Sequence, residues 1–115
     1  MNDLSKRLFK FSVRVLKLTK QFPNIPEFKV IRYQLSKSAS SSGANYEEAQ
    51  AATSRADFHH KVKISLREVR EANFWLRQLK EIIDDELDLK EIRSLIKEST
   101  ELKNILGTIA LKTKS

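Results

Sequence analysis

Several features common in other proteins are scarce or missing in this chain. Its 115 residues include no cysteine, which excludes disulfides and thiolate chemistry and favours a cytosolic protein. Two glycines and two prolines are too few for a phosphate-binding glycine loop and are typical of a strongly helical protein. No apolar run approaches the ~20 residues that cross a bilayer, and basic residues interrupt the apolar runs near the start of the sequence. We therefore expect a cytoplasmic protein with no signal peptide and no membrane partner.

Positive charge is present in excess. The chain has 22 lysines and arginines against 15 acidic residues, a net charge of +7. Six of the cations and a single acid fall within residues 1–22. Four of those cations recur with 3-4-3 spacing, which places them along one side of a helix as an amino-terminal ridge: Arg7, Lys10, Arg14 and Lys17. This ridge predicts nucleic-acid binding through phosphates, by charge and shape and without base recognition. The alternative is a solvated face that only keeps the protein soluble.

Apolar periodicity predicts four helices in one domain that spans residues 1–115. Stripes with helical spacing cover residues 3–22, 27–53, 55–85 and 88–112. Phe22 precedes a proline and should end the first helix, while Ser54 and Asp88 have the spacing of helix caps. Short connections then favour an all-α, antiparallel up-down four-helix bundle.

The segment 34–49 is rich in serine, alanine and glycine, yet it keeps the spacing of one helix face. We expect it to be helical and buried, with Ala39 and Gly43 at a close helix crossing. Asn45 and Glu48 lie three residues apart on one helix face. Because both also belong to the family signature given below, we expect them to make structural hydrogen bonds between helices, with a ligand site as the alternative.

Two further stripes carry more apolar surface than one core needs. Phe9 and Leu16 lie about 100° from the main stripe of the first helix. Ile64, Trp75 and Ile82 fall together outside the core arc of the third helix. Because tryptophan is enriched in interface cores, these residues predict a homo-oligomer contact. The alternative is that they cover the edges of a broad core.

No pattern in the sequence indicates catalysis. His59 and His60 are adjacent and point about 100° apart on a helix, so they cannot share a metal as an i, i+4 pair can. The serines within residues 40–42 lack a histidine partner and a nucleophile elbow. We expect a protein that is not an enzyme and that has no metal and no cofactor.

The segment Gln34–Ala49, QLSKSASSSGANYEEA, resembles a family signature. The four-helix-bundle proteins encoded in intervening sequences of bacterial 23S rRNA genes carry roughly Gln-Leu-x-Arg-Ser-Ala-x-Ser-Ile-Gly-Ala-Asn-Ile-x-Glu-Ala. The blocks at Ser54–Lys61 and Phe74–Leu76 agree with it, and the resemblance extends over most of the chain. Lys37, Ser42 and Tyr46 depart from the usual Arg, apolar residue and Ile.

The resemblance implies an antiparallel four-helix bundle that assembles as a homopentamer. Nucleic-acid binding is the role suggested across the family, and distant relatives are accessory proteins of the reverse transcriptases of retroelements. We therefore expect a pentamer associated with RNA. The alternative is a homo-oligomeric scaffold or accessory subunit, for example of a reverse transcriptase, without direct RNA recognition.

Overall fold

Four antiparallel α-helices form the molecule. The computed structural model describes residues 2–115, with α1 at Asp3–Thr19, α2 at Pro26–Gln50, α3 at Arg55–Ile82 and α4 at Glu86–Thr113. Each helix packs against the next one in the chain, and α1 also packs against α4, which closes the bundle. The helices therefore occupy the corners of a square, with α2 diagonally opposite α4. The predicted all-α, up-down four-helix bundle is confirmed.

The helix starts follow side-chain caps in three of the four cases. Asn2, Ser54 and Asp85 each accept a hydrogen bond from the backbone N–H three residues later, and such a bond satisfies one of the unpaired donors of the first turn. Asp85 therefore begins α4 at Glu86, two residues before the predicted start. The third helix was predicted to extend to residue 85, but α3 ends at Ile82.

The end of α1 is held by a residue of α2. The helix stops at Thr19, three residues before the predicted end, although Phe22 remains buried against the core. The Arg32 guanidinium donates to the carbonyl oxygens of Thr19 and Phe22 at 3.1 and 2.7 Å. The Thr19 carbonyl oxygen also accepts a hydrogen bond of 3.3 Å from the Phe22 N–H. Carbonyls at the end of a helix lack partners within it, so Arg32 binds acceptors that are available where the chain turns into α2.

Small buried side chains let α2 and α3 pack closely. The whole small-residue segment 34–49 is helical and lies within α2. Ser38, Ser42 and Ser65 are fully buried. The Ser65 hydroxyl crosses from α3 and donates to the Ser42 carbonyl oxygen at 2.7 Å, and the Ser42 hydroxyl donates to the Ala39 carbonyl oxygen at 2.7 Å. Serine therefore serves here as a small core residue whose polar group is satisfied by backbone.

Candidate assembly and nucleic-acid surfaces

Two of the four cations of the amino-terminal ridge form ion pairs with α4. Arg7 binds Glu98 through two hydrogen bonds, of 3.0 and 2.6 Å, and its Nη2 also lies 3.2 Å from a carboxylate oxygen of Glu101. Arg14 binds Glu91 in the same two-bond arrangement, at 3.1 and 2.8 Å. Paired bonds of this kind match the planar guanidinium to the carboxylate and hold α1 at a fixed height against α4.

The two arginines are therefore not free cations. The hydrogen bonds that they donate to Glu98 and Glu91 raise the pKa of Arg7 and of Arg14 above that of an isolated guanidinium. Lys10 and Lys17 are exposed, and within residues 2–115 neither makes an ion pair. In the sequence, the helix face that carries the ridge is nearly free of acids. The carboxylates that pair with Arg7 and Arg14 come from α4, so the sequence of α1 alone could not show them.

A larger group of unpaired cations lies where α3 and α4 meet the solvent. Asn73 on α3 donates to Ser99 on α4 at 2.8 Å, which fixes the side of each helix that faces the other. Successive residues are about 100° apart around a helix. Measured from these contacts, the cations of α3 and those of α4 point outward on the same side of the bundle. We call this surface the α3–α4 face, and it consists of Lys63, Arg67, Arg70, Arg77, Arg93, Lys103 and Lys114.

Acidic residues are directed away from most of this face. On α4, Glu91 and Glu98 turn toward α1. On α3, burial raises the pKa of Glu68, the Glu71 charge raises it further, and the charges of Arg67 and of Lys37 on α2 lower it. Glu71 is exposed and lies four residues after Arg67, so it borders the outward row on the side of α2. Glu81 follows on the outer side of α3, about one turn after the last cation of the row. Between residues 63 and 77 acidic side chains therefore border the row of cations on one side only.

An exposed aromatic ring interrupts the α3–α4 face. Phe74 is 47% exposed, and the guanidinium carbon of Arg77 lies 5.9 Å from its ring centroid. Arg77 Nε donates to Asn73 Oδ1 at 2.9 Å, and the buried Asn73 amide in turn donates to Ser99. The interhelix contact therefore also orients the cation next to the ring.

The two predicted apolar stripes lie on either side of α2. Phe9 and Leu16 are 58% and 44% exposed and border the groove between α1 and α2. In that groove Phe9 lies beside Ser40 and Ala44, and Leu16 lies beside Tyr33. We call Phe9 and Leu16 the Phe9 patch.

The second stripe lies on the side of α3 that is next to α2. Ile64, Trp75 and Ile82 occupy the sector just outside the α2 contact, and we call them the Trp75 patch. Ile82 is 44% exposed, whereas Ile64 and Trp75 are half-buried. Trp75 packs against the core with one edge, and its indole Nε1 lies 3.4 Å from a Glu71 carboxylate oxygen.

The residues predicted at the helix crossing have different surroundings. Ala39 is fully buried in the core. Gly43 faces α1, where an added Cβ would lie 3.6 Å from the Cβ of Leu8, an ordinary van der Waals distance. Asn45 was expected to bond between helices, but its amide donates to the Ser41 carbonyl oxygen of the same helix at 2.9 Å. Glycine is therefore not required at this crossing.

Glu48 does reach another helix, in an exposed contact 3.5 Å from the Lys61 Nζ of α3. The two adjacent histidines are not brought together: His59 Nδ1 lies 2.9 Å from the Thr113 hydroxyl, and His60 is exposed. Within residues 2–115, three or more side chains that could together hold a metal ion do not occur. No helix in the same range is both long and apolar enough to span a membrane.

A family model for the 23S rRNA-intervening sequence protein matches residues 2–108. The chain belongs to this family. It is also similar to a solved structure from Bacteroides thetaiotaomicron, a protein of unknown function from the S23 ribosomal protein family, with 34% identity and a TM-score of 0.80. That similarity covers 93% of this chain and 97% of the other chain. No curated protein matches the chain.

The residues at which this chain departs from the signature have local partners. Ser42 replaces an apolar residue and bonds its hydroxyl to backbone within α2. The Tyr46 hydroxyl accepts from the Asn2 amide at 3.1 Å, which ties the end of α2 to the start of α1. The Lys37 ammonium lies 6.0 Å from the Tyr33 ring centroid and remains exposed.

Sequence reasoning missed two residues with clear roles in this family member. Arg32 caps α1 through the peptide carbonyls, and no local pattern indicates such a contact. Phe74 was noted only as part of the Phe74–Leu76 block of the signature. A signal for its exposure was present, because it lies seven residues after Arg67 and four after Arg70, on the same helix face as these cations.

Proposed function

We propose that this protein is a non-enzymatic, nucleic-acid-associated protein, that RNA is its ligand, and that it acts as a homo-oligomer. The observation that carries the proposal is the α3–α4 face. Two adjacent helices present seven cations on one surface, and none of these cations is neutralised by a salt bridge within residues 2–115. A protein that needed charge only for solubility would gain more from both signs interspersed.

The shape of the α3–α4 face suits a phosphate backbone. From Lys63 to Arg77 the row on α3 extends about 21 Å, at about 1.5 Å per residue, and α4 supplies a second row beside it. Lysine binds phosphate as a point charge, whereas arginine can bind two phosphate oxygens at once. A flat helical surface offers no element that enters a groove, so affinity should come from phosphates and depend strongly on salt.

The amino-terminal ridge is the weaker candidate for the same role. Its two arginines would have to exchange their carboxylate partners on α4 for phosphate, at the expense of contacts that join α1 to the bundle. Lys10 and Lys17 remain available but are two isolated charges. We therefore assign the main contact to the α3–α4 face, and expect the ridge to contribute only long-range attraction.

Assembly into a homopentamer is the second part of the proposal. The support comes from two unlike apolar patches, the Phe9 patch and the Trp75 patch, on opposite sides of α2. A closed ring needs two different surfaces on each subunit, because every copy contacts its neighbours head to tail.

Two quadruple variants with equal loss of charge test the proposed function. The first replaces Lys63, Arg67, Arg70 and Arg93 with glutamine, and the control replaces Lys6, Lys10, Lys17 and Lys20 with glutamine. All eight side chains are exposed and free of salt bridges within residues 2–115, and glutamine preserves helix propensity. Binding of a labelled RNA is measured by fluorescence anisotropy between about 50 and 300 mM salt. Phosphate contacts make the affinity depend steeply on salt in roughly this range.

The α3–α4 variant should lose most of its affinity, and its log–log salt slope should flatten by about 0.7 to 0.9 for each lost phosphate contact. The control variant should keep its slope and lose little affinity. Equal losses in both variants would mean that only net charge matters, and the assigned surface would be wrong. Absence of binding by the unmodified protein at low salt would instead support the oligomeric scaffold.

A further inference from the structure

Phe74 is the one large aromatic side chain that lies among the cations of the α3–α4 face. Its neighbours along the outward row are Arg67, Arg70 and Arg77, and nearly half of its ring is accessible. A single exposed phenylalanine is ordinary in itself. Phe74 is distinguished by its place among guanidinium groups on a side of α3 that points away from the core.

The surroundings of the ring are ordered. Trp75 meets Phe74 at a near-perpendicular angle, with ring centroids 5.0 Å apart. The Arg77 guanidinium lies over the ring, 5.9 Å from its centroid, and is held there by its hydrogen bond to Asn73, which is itself anchored to α4. These contacts restrict the ring before any ligand arrives, which lowers the entropy lost when a planar group packs against its accessible part.

We propose that Phe74 stacks on an unpaired base, so that the α3–α4 face prefers single-stranded over double-stranded RNA. The inference rests on the proposed function and specifies its ligand. A positive surface that follows the backbone, combined with an aromatic ring that receives bases, is the usual arrangement in proteins that bind single strands without sequence preference. A duplex keeps its base faces stacked internally and offers the ring nothing to stack on.

A subunit contact is the competing role for Phe74, and charge argues against it. The ring lies about 100° around α3 from Trp75, on the α4 side, whereas the Trp75 patch lies on the α2 side. A second copy docked on Phe74 through the same face would bring guanidinium groups together, and like charges in close contact are unfavourable. Phosphates, in contrast, would be attracted by the same groups.

The test compares Phe74→Leu with the double variant Arg67→Gln/Arg70→Gln and uses three labelled probes. These are a 12-nucleotide single-stranded RNA, a 12-base-pair RNA duplex, and an abasic 12-mer that keeps the phosphates, lengths chosen to be on the order of one single-strand site. Leucine retains an apolar side chain of helix-compatible shape, so the variant should keep the melting temperature and the oligomeric size.

Phe74→Leu should weaken binding of the single strand by about 5- to 100-fold, the range typical of one base–aromatic stack. Its affinity for the duplex and for the abasic strand should remain within about twofold of the unmodified protein. Arg67→Gln/Arg70→Gln should weaken all three probes, because it removes phosphate contacts.

Each contrary result has a distinct meaning. If Phe74→Leu binds the single strand as tightly as the unmodified protein while the arginine variant still loses binding, base stacking is excluded and the proposed function survives. If Phe74→Leu changes the size of the assembly in light scattering, Phe74 belongs to a subunit contact and the inference is overturned. If none of the probes binds the unmodified protein, the proposed function fails together with the inference.

Discussion

At the scale of single residues, partners on neighbouring helices determine what each cation can do. Arg7 and Lys10 lie on the same helix and look equivalent in sequence, yet only Arg7 is enclosed by carboxylates of α4. Arg14 and Lys17 differ in the same way. Two residues of the amino-terminal ridge therefore stabilise the bundle, and two remain available to a ligand.

This difference predicts unequal effects on stability from equal changes in charge. Replacing Arg7 and Arg14 with glutamine should lower the free energy of unfolding by about 0.5–1 kcal/mol per site, because each two-bond ion pair is partly shielded from water but still about one-third exposed. Replacing Lys10 and Lys17 with glutamine removes the same charge from the same helix and should change stability by less than about 0.5 kcal/mol. Urea denaturation of the two double variants measures both effects, and equal destabilisation would show that the ion pairs contribute nothing specific.

Sequence reasoning succeeded where one helix contains all the information. Burial imposes a 3.6-residue period on each helix, so the stripes from Leu4 to Leu18 and from Val62 to Leu79 could be predicted without knowing any neighbour. It failed for the amino-terminal ridge, because the acids that cover Arg7 are about ninety residues away in sequence. Summing charge over residues 54–86 also concealed the α3–α4 face. Seven cations and seven acids cancel there, but three of the acids follow the end of α3, and the outward cations lie together on one side of the helix.

At the scale of helices, the small residues of α2 have two separate roles. Those that face inward, such as Ala39 and Ser42, are fully buried and allow α3 to approach. Those that face outward, such as Ser40 and Ala44, are exposed between the Phe9 patch and the Trp75 patch. Packing inside one subunit explains the first group, whereas the second group leaves a flat surface suited to a neighbouring subunit.

Two substitutions in this segment should change stability in opposite directions. Ala39→Leu adds volume to a filled part of the core and should destabilise the protein by about 1–3 kcal/mol. Gly43→Ala adds a methyl group at an ordinary contact distance from Leu8, and should stabilise the protein by up to about 1 kcal/mol because alanine has the higher helix propensity. Thermal unfolding with the assembly size checked by light scattering measures both. A destabilising Gly43→Ala would show that α1 and α2 pack more closely at this position than the 3.6 Å distance indicates.

At the scale of the whole molecule, the surfaces proposed for assembly and for RNA lie on different sides of α3 and adjoin where Trp75 contacts Phe74. The two apolar patches flank α2. The α3–α4 face lies on α4, which is diagonally opposite α2, and on the side of α3 that is remote from α2. A ring formed through the patches would leave the α3–α4 face of every copy accessible. Five such faces would act together on one RNA, and linked sites of this kind can exceed the affinity of a single face by orders of magnitude.

The head-to-tail character of the assembly can be tested by mixing two disabled variants. Phe9→Glu/Leu16→Glu removes the Phe9 patch, and Ile64→Glu/Ile82→Glu removes the Trp75 patch. If the Phe9 patch of one copy binds the Trp75 patch of the next, each variant alone lacks one half of every contact and should be a monomer of 13.3 kDa. The mixture restores one matched pair of patches, so it should form a 1:1 heterodimer of about twice that mass.

Light scattering coupled to size-exclusion chromatography measures the masses, and circular dichroism confirms that both variants remain helical. A variant that still dimerises on its own would show that its remaining patch binds itself, which makes a two-fold dimer and not a ring. Two variants that both keep the mass of the unmodified assembly would exclude the patches as subunit contacts. The heterodimer is the one outcome that requires two different surfaces on each subunit. A self-complementary patch that joined the two variants would also join two copies of the variant that retains it, and that variant would then not be a monomer on its own.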